Sequence, residues 1–250
     1  NGLSNNSSQS MALTLIAVVL ALVVGHIVPG LMALRRYGWF VFWLSLLGKL
    51  FRGQTIWQGR FGALFAIGLP VIIVAVVQYF LAGLWYGLPG FIFALIVLLY
   101  TWGPRDLDLD VDKVVDATDL ESRREAATAL FPEGGEPTLE GPSLVEAVFR
   151  CALWRWFGVL FWFLLLGAAG ALLYRLTTLS AQGEARKTIP EMQSQAASLF
   201  TSILNWPVAQ LMTFGMALAA NFDTVISAWR EWYKQGGSRL GIGFLGAAAR

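Results

Sequence analysis

No aspartate or glutamate occurs in the first 105 residues. Any carboxylate chemistry in this chain must therefore come from the remainder. Charge is scarce overall: 14% of residues are charged and 56% are hydrophobic, with a mean hydropathy of +0.61. An ordinary soluble domain carries about 25% charged residues, so the composition points to an integral membrane protein. Cysteine is almost absent too. Cys151 stands alone, which excludes an intramolecular disulfide framework. A lone thiol without a clear histidine partner is a poor nucleophile, and a buried hydrophobic role fits it better. The chain also lacks a Ser/His/Asp set, a Walker loop, Cys/His metal spacing and a GxGxxG motif. Nothing in it names a catalytic residue or a cofactor.

Long apolar runs, by contrast, are plentiful. A spanning helix needs about 20 mostly apolar residues. Runs of that kind lie near 11–34, 61–84, 85–102 and 151–173. A further segment, 198–221, is interrupted by Asn205, Pro207 and Gln210. It reads either as a kinked fifth span or as two short helices at the surface. Residues 1–10, "NGLSNNSSQS", read as a tag remnant or disordered tail. Eleven tryptophans are consistent with interfacial belts. Residues 37–52 repeat aromatic and aliphatic side chains at helical spacing, which predicts an amphipathic helix in the headgroup plane. The loop from 35 to 60 holds Arg35, Arg36, Lys49, Arg52 and Arg60 and no acid. By the positive-inside rule it is cytoplasmic. That orientation returns residues 104–150 to the cytoplasm and sends the fourth span outward. The tail 223–250 is basic.

The fold expected is therefore all-α: a polytopic helical membrane protein with four to five spans, an interfacial amphipathic helix and a small cytoplasmic helical loop. The bilayer is the first partner implied. A membrane or cytoplasmic protein partner and a homo-oligomer are left open, and nothing calls for nucleic acid. The localisation implied is a membrane, with residues 104–150 on its cytoplasmic side.

The acidic loop 104–150 holds 12 of the 16 acids. It opens with "DLDLDVD", in which Asp106, Asp108, Asp110 and Asp112 alternate with apolar residues. In an extended chain the four carboxylates share one face, and such an edge suits a hard divalent cation. Counted from Asp108, the acids mimic the spacing of a calcium loop. Lys113, however, occupies the position where that loop requires glycine for its turn, which rejects an EF-hand. The competing expectation is structural: Asp110 or Asp112 caps a helix starting near Val111, with Val111, Val114, Val115 and Leu130 facing inward along "VDKVVDATDLESRREAATALF". Ligand or metal binding stays open as the second expectation, with the metal and cofactor unknown.

Other polar groups at membrane level are His26, Arg155, Arg175, Asn205 and Gln210. Intramembrane polar groups are functional candidates by default. The ordinary alternatives are an interhelical donor for His26 and snorkelling to the interface for Arg155 and Arg175. The small residues Gly167, Ala168, Gly170 and Ala171 permit close helix packing.

Three stretches together, "GPRDLDLDVDKVVDA", "EAVFRCALWRWFGVLFWFLLLGAAGALLYRL" and "LNWPVAQLMTF...NFDTVISAW", resemble AmpE, the inner-membrane product of the ampDE operon. That family is distantly related to the CobD/CbiB cobalamin-biosynthesis proteins, which make an amide bond to aminopropanol. The resemblance implies a regulatory membrane protein tied to β-lactamase induction and peptidoglycan recycling, acting as a non-enzymatic sensor or scaffold. The alternative it carries is a membrane enzyme, or a nucleotide- or small-ligand-binding protein, of the CobD/CbiB kind. In those enzymes "LLYR" leads into an Asn-Thr-x-Asp run and, later, an Asp-x-x-Asn...Pro-x-Arg stretch. Here the first is Thr177-Thr178-Leu179-Ser180 and the second reads Asn205-Trp206-Pro207-Val208-Ala209-Gln210. The lost Asp and Arg argue against cobinamide-type catalysis. AmpE proteins usually end in another apolar helix, which is not seen here, so the chain reads as cut at its C-terminus or as a departure from the pattern.

Overall fold

The computed structural model describes residues 18–19, 37–51, 57, 59, 61–84, 88–102, 107–131, 137–219 and 222–234. Among these residues there are helices and turns but no strand. The helices are α1 (Gly38–Leu50), α2 (Phe61–Ala82), α3 (Leu88–Thr101), α4 (Leu107–Asp116), α5 (Leu120–Ala127), α6 (Gly141–Ala152), α7 (Gly158–Ala181), α8 (Glu184–Thr188), α9 (Glu191–Ala219) and α10 (Phe222–Lys234). A 3-10 turn, Thr128–Leu130, follows α5, and a π-helical segment, Leu153–Phe157, joins α6 to α7. Among the described residues two helical stretches, Phe61–Ala82 and Gly141–Ala181, are by length and composition apolar enough to cross a membrane. The helix α3 has 14 residues, about 21 Å at 1.5 Å per residue. The expected span at 11–34 lies outside the described residues, apart from 18–19.

The described residues form two compact units. One draws on Asn1–Pro104 and Val159–Ala197, the other on Arg105–Gly158 and Ser198–Arg250.

The first unit is built around Phe40, Leu44, Leu47, Ala66, Ile67, Leu172 and Leu176. Phe40, Leu44 and Leu47 recur at i, i+4 and i+7 on α1, so one stripe of that helix is buried. Phe42, Leu46 and Leu50 on its other faces are exposed. Pro70 lies inside α2 and has no N–H to give the carbonyl of Ala66, four residues back. The Trp43 indole supplies the missing donor, with its Nε1 donating to Ala66 O at 3.1 Å. The aromatic content of α1 thus repairs a defect in α2.

A sharper defect divides α7. Gly167 has φ 67° and ψ −148°, a conformation essentially closed to other residues. The expected straight span 151–173 is therefore interrupted twice, by the π segment and by this break. Gln78, the one amide side chain of α2, serves both sides of the break. Its Nε2 donates to Leu166 O at 3.4 Å, and its Oε1 accepts from Ala169 N at 3.1 Å. A Cβ on Gly167 would sit 2.5 Å from Gln78 Nε2. A Cβ on Gly170 would run into the carbonyl of Trp162 in the same chain. The two glycines thus serve a fold-back within α7 rather than a plain packing stripe. Ala168 and Ala171 are buried beside them.

The second unit packs Leu107, Val114, Ala127, Leu130, Ala147, Cys151 and Ala152 together. The acidic row is helical from Leu107, four residues earlier than expected. The single amphipathic helix expected for this stretch is divided. Asp119 adopts extended backbone and caps α5, accepting from Ser122 N at 2.7 Å and Ser122 Oγ at 2.6 Å. Divided in this way, the chain turns Val115 outward while Val114 and Leu130 stay buried. Residues 198–221 do not form two short helices, because α9 runs unbroken through Pro207 from Glu191 to Ala219.

Gln78→Leu strands Leu166 O and Ala169 N in apolar surroundings. At about 1–3 kcal/mol per unpaired group, it should lower the unfolding midpoint in detergent clearly, and an unchanged midpoint would refute the bridging role. Asp119 is held below its ordinary 3.8 by the Ser122 hydroxyl first and the Ser122 N–H second. Its folded pKa is depressed, so its cap contributes above pH 3.8 and is lost as pH falls through the folded value. Ser122 amide-exchange protection should fall with acid in wild type and lose that dependence in Asp119→Asn.

Candidate functional site

Helical geometry dismantles the shared carboxylate edge. Successive alternate residues of a helix are about 200° apart at 3.6 residues per turn, so i and i+2 do not face each other. Asp108 and Asp112 are exposed on α4, whereas Asp110 is 2% exposed. Asp110 is neither a cap nor an open ligand. Its Oδ2 accepts from Arg155 Nη1 at 2.7 Å, in a pair with side-chain exposures of 2% and 12%. Arg155 lies in the π-helical segment, where one extra residue per turn re-aims a side chain. Its Nη2 donates to Ala129 O at 2.9 Å, in the 3-10 turn. Beside it, Cys151 Sγ donates to Leu130 O at 3.4 Å. Arg155 therefore does not snorkel outward, and it ties α4, the 3-10 turn and the π segment together. Arg123 Nε donates to Val114 O at 3.1 Å, near the carboxyl end of α4.

A polar groove of about 610 Å³ has Asp110, Lys113, Asp116, Ser122, Glu125 and Thr128 in its lining. It carries both signs of charge and hydroxyl groups, so it suits a polar ligand or a peptide. Among the described residues no group of three or more His, Cys, Asp or Glu is arranged to hold a metal ion. Asp106 and His26 lie outside the described residues.

Arg175 belongs to the first unit and is 5% exposed. Rather than reaching an interface, its Nε donates to Thr101 O at 2.7 Å, at the carboxyl end of α3. A cation there suits both the orphan carbonyls and the helix dipole. The topology expected from the sequence put Arg175 on the opposite side of the bilayer from residue 101, and this contact removes that arrangement. The fold-back at Gly167 is the physical reason, because it stops α7 from running straight. The next hydroxyls bond within their own helix. Thr177 Oγ1 donates to Leu173 O, Thr178 Oγ1 to Arg175 O and Ser180 Oγ to Leu176 O, at 2.8–2.9 Å. Asn205 (3% exposed) and the half-buried Gln210 lie on α9 within the second unit.

The structure thus brings Asp110 to Arg155 and leaves Asp108 and Asp112 on the surface. Sequence reasoning missed Gln78, Trp43 and Thr101 as polar partners. For Gln78 a signal existed, since a lone amide in an apolar run needs partners.

One curated protein with which the chain compares is the cobalamin biosynthesis protein CobD of Stutzerimonas stutzeri (strain A1501). It is 29% identical over 169 residues, covering 65% of this chain and 54% of that protein. The chain thus spans about half the length of the curated relative it matches. No family profile matches the sequence, and no solved structure matches it.

The ion pair generates a graded prediction. Truncating one member of a buried pair strands the other and costs about 3–5 kcal/mol. Asp110→Ala should therefore destabilise the second unit heavily, while Asp108→Ala and Asp112→Ala should stay within about 0.5 kcal/mol, as surface substitutions do. Urea midpoints of the three variants test this ordering, and equal midpoints would contradict it.

Proposed function

We propose that this chain is a multi-pass inner-membrane regulatory protein of the AmpE kind, linked to β-lactamase induction and cell-wall recycling. In this reading the polar groove of the second unit receives a ligand or a protein partner. The observation that carries it concerns the run after Arg175. Where the enzyme relatives have Asn-Thr-x-Asp, this chain has hydroxyls bonded to their own helix. Arg175 itself donates to the end of α3. A residue set bonded in this way stabilises backbone, whereas an enzyme of that class would direct it at substrate. The buried Asp110–Arg155 pair supports the same view, because it makes the acidic helix a fixed wall of the groove. Long apolar helices and the basic, acid-free loop 35–60 support membrane residence.

The likeness to CobD favours a second reading, a membrane enzyme or small-ligand-binding protein of the CobD/CbiB type. It requires Asp106, Asp108 and Arg175 to act on one ligand, and the engagement of Arg175 with the Thr101 carbonyl weighs against it.

Complementation separates the two readings. In a host lacking this gene, β-lactamase activity is measured with and without inducer. Under the regulatory reading, the intact protein and a T177V/T178V/S180A variant restore the same response. A K113E/E125K variant, which inverts charges in the groove, should lose it at equal membrane levels. If deleting the gene leaves induction unchanged, the regulatory reading fails. If the intact chain instead restores cobalamin synthesis to a host lacking its CobD, and the hydroxyl variant does not, the enzyme reading replaces it.

A further inference from the structure

The break at Gly167 changes how far α7 can reach. No charge occurs between Arg155 and Arg175. Counted straight, that run of residues 156–174 is about 28 Å long at 1.5 Å per residue, close to one crossing of a hydrocarbon core of about 30 Å. The positive φ of Gly167 divides it. Residues 156–166 then reach about 16 Å toward the break, and residues 168–174 about 10 Å away from it. Neither arm covers the core alone. Trp162 precedes the break and Gly170 follows it, yet a Cβ on Gly170 would run into the Trp162 carbonyl. A straight helix would hold these two residues about 12 Å apart along its axis. The second arm therefore returns beside the first.

Two observations put the tip of this hairpin in apolar surroundings. Leu164, Leu165 and Leu166, the last residues before the break, are all exposed, and three adjacent leucines at a tip are unfavourable in water. Irregular backbone inside a bilayer also needs partners from the protein, because no water is there to serve it. Gln78, from the apolar helix α2, serves both sides of the break. The second arm belongs to the core of its unit, with Ala168, Ala171, Leu172 and Tyr174 buried. Leu172 also lines an open apolar groove of about 730 Å³ between α1, α2 and α3. At the foot of this arm Arg175 donates to Thr101 O.

We propose that residues 156–174 form a re-entrant hairpin. The chain enters and leaves the bilayer at one face, and Leu164, Leu165 and Leu166 contact the acyl chains of a single leaflet. The length of the first arm argues for this occupant, since about 16 Å is roughly half of the hydrocarbon core. The inference rests on the membrane residence proposed for the chain and adds to it the route of this segment.

The test uses the full chain in sealed membrane vesicles of both orientations, with Glu140→Cys, Leu165→Cys and Thr188→Cys introduced singly. All three positions are exposed, and the buried Cys151 of the native chain sets the background. A membrane-impermeant maleimide should modify Glu140→Cys and Thr188→Cys from the same face. It should modify Leu165→Cys several-fold more slowly from either face. A nitroxide attached to Leu165→Cys should collide several-fold more with oxygen than with an aqueous nickel chelate. Modification of Glu140→Cys and Thr188→Cys from opposite faces would overturn the hairpin and leave membrane residence standing. Modification of Leu165→Cys as fast as Thr188→Cys would overturn membrane residence and the hairpin with it. Shielding of the nitroxide from both oxygen and nickel, as between two copies of the chain, would overturn the leaflet contact.

Discussion

A backbone carbonyl that loses its helical partner must find another donor, and in apolar surroundings water is not at hand to supply it. This constraint organises the chain. Pro70 orphans Ala66 O, and Trp43 answers it. Gly167 breaks α7, and Gln78 serves the groups on either side. The end of α3 is met by Arg175 and Tyr37. In the second unit Arg155 reaches Ala129 O, Arg123 reaches Val114 O and Cys151 reaches Leu130 O. Two of the side chains that looked most like a site, Arg155 and Arg175, are donors to backbone carbonyls.

That economy explains why the acidic row does not form a cation edge. An edge requires extended backbone, and the row is helical from its second residue onward. Helical period then separates the carboxylates, and burial selects one of them. Asp110 is tolerated at 2% exposure because Arg155 neutralises it and Arg155 is satisfied again by Ala129 O. An ion pair built in this way holds three elements in register and shapes the polar groove beside it.

The two grooves differ in the chemistry they offer. One is polar with mixed charge and belongs to α4, α5 and the 3-10 turn. The other is apolar with aromatic walls and belongs to α1, α2 and α3.

Residue order alone determined the helical character, the apolar stretches at Phe61–Ala82 and Leu88–Thr101, and the amphipathic stripe of α1. These follow from hydrophobic period and composition, which act over neighbouring residues. The concentration of acid after residue 105 and the isolation of Cys151 were equally legible. The partners of the polar groups were not. Arg155 and Arg175 both read as residues that snorkel outward, because a long cation at the end of an apolar run normally does. Only tertiary structure turned Arg155 toward Asp110, 45 positions away, and Arg175 toward Thr101, 74 away. The break at Gly167 was hidden for the same reason. A glycine in an apolar helix is locally unremarked, and its left-handed backbone is affordable only where a distant amide, Gln78, closes the hydrogen bonds. Period and composition are properties of adjacent residues. The satisfaction of a buried polar group depends on which distant partner the fold brings within hydrogen-bonding reach.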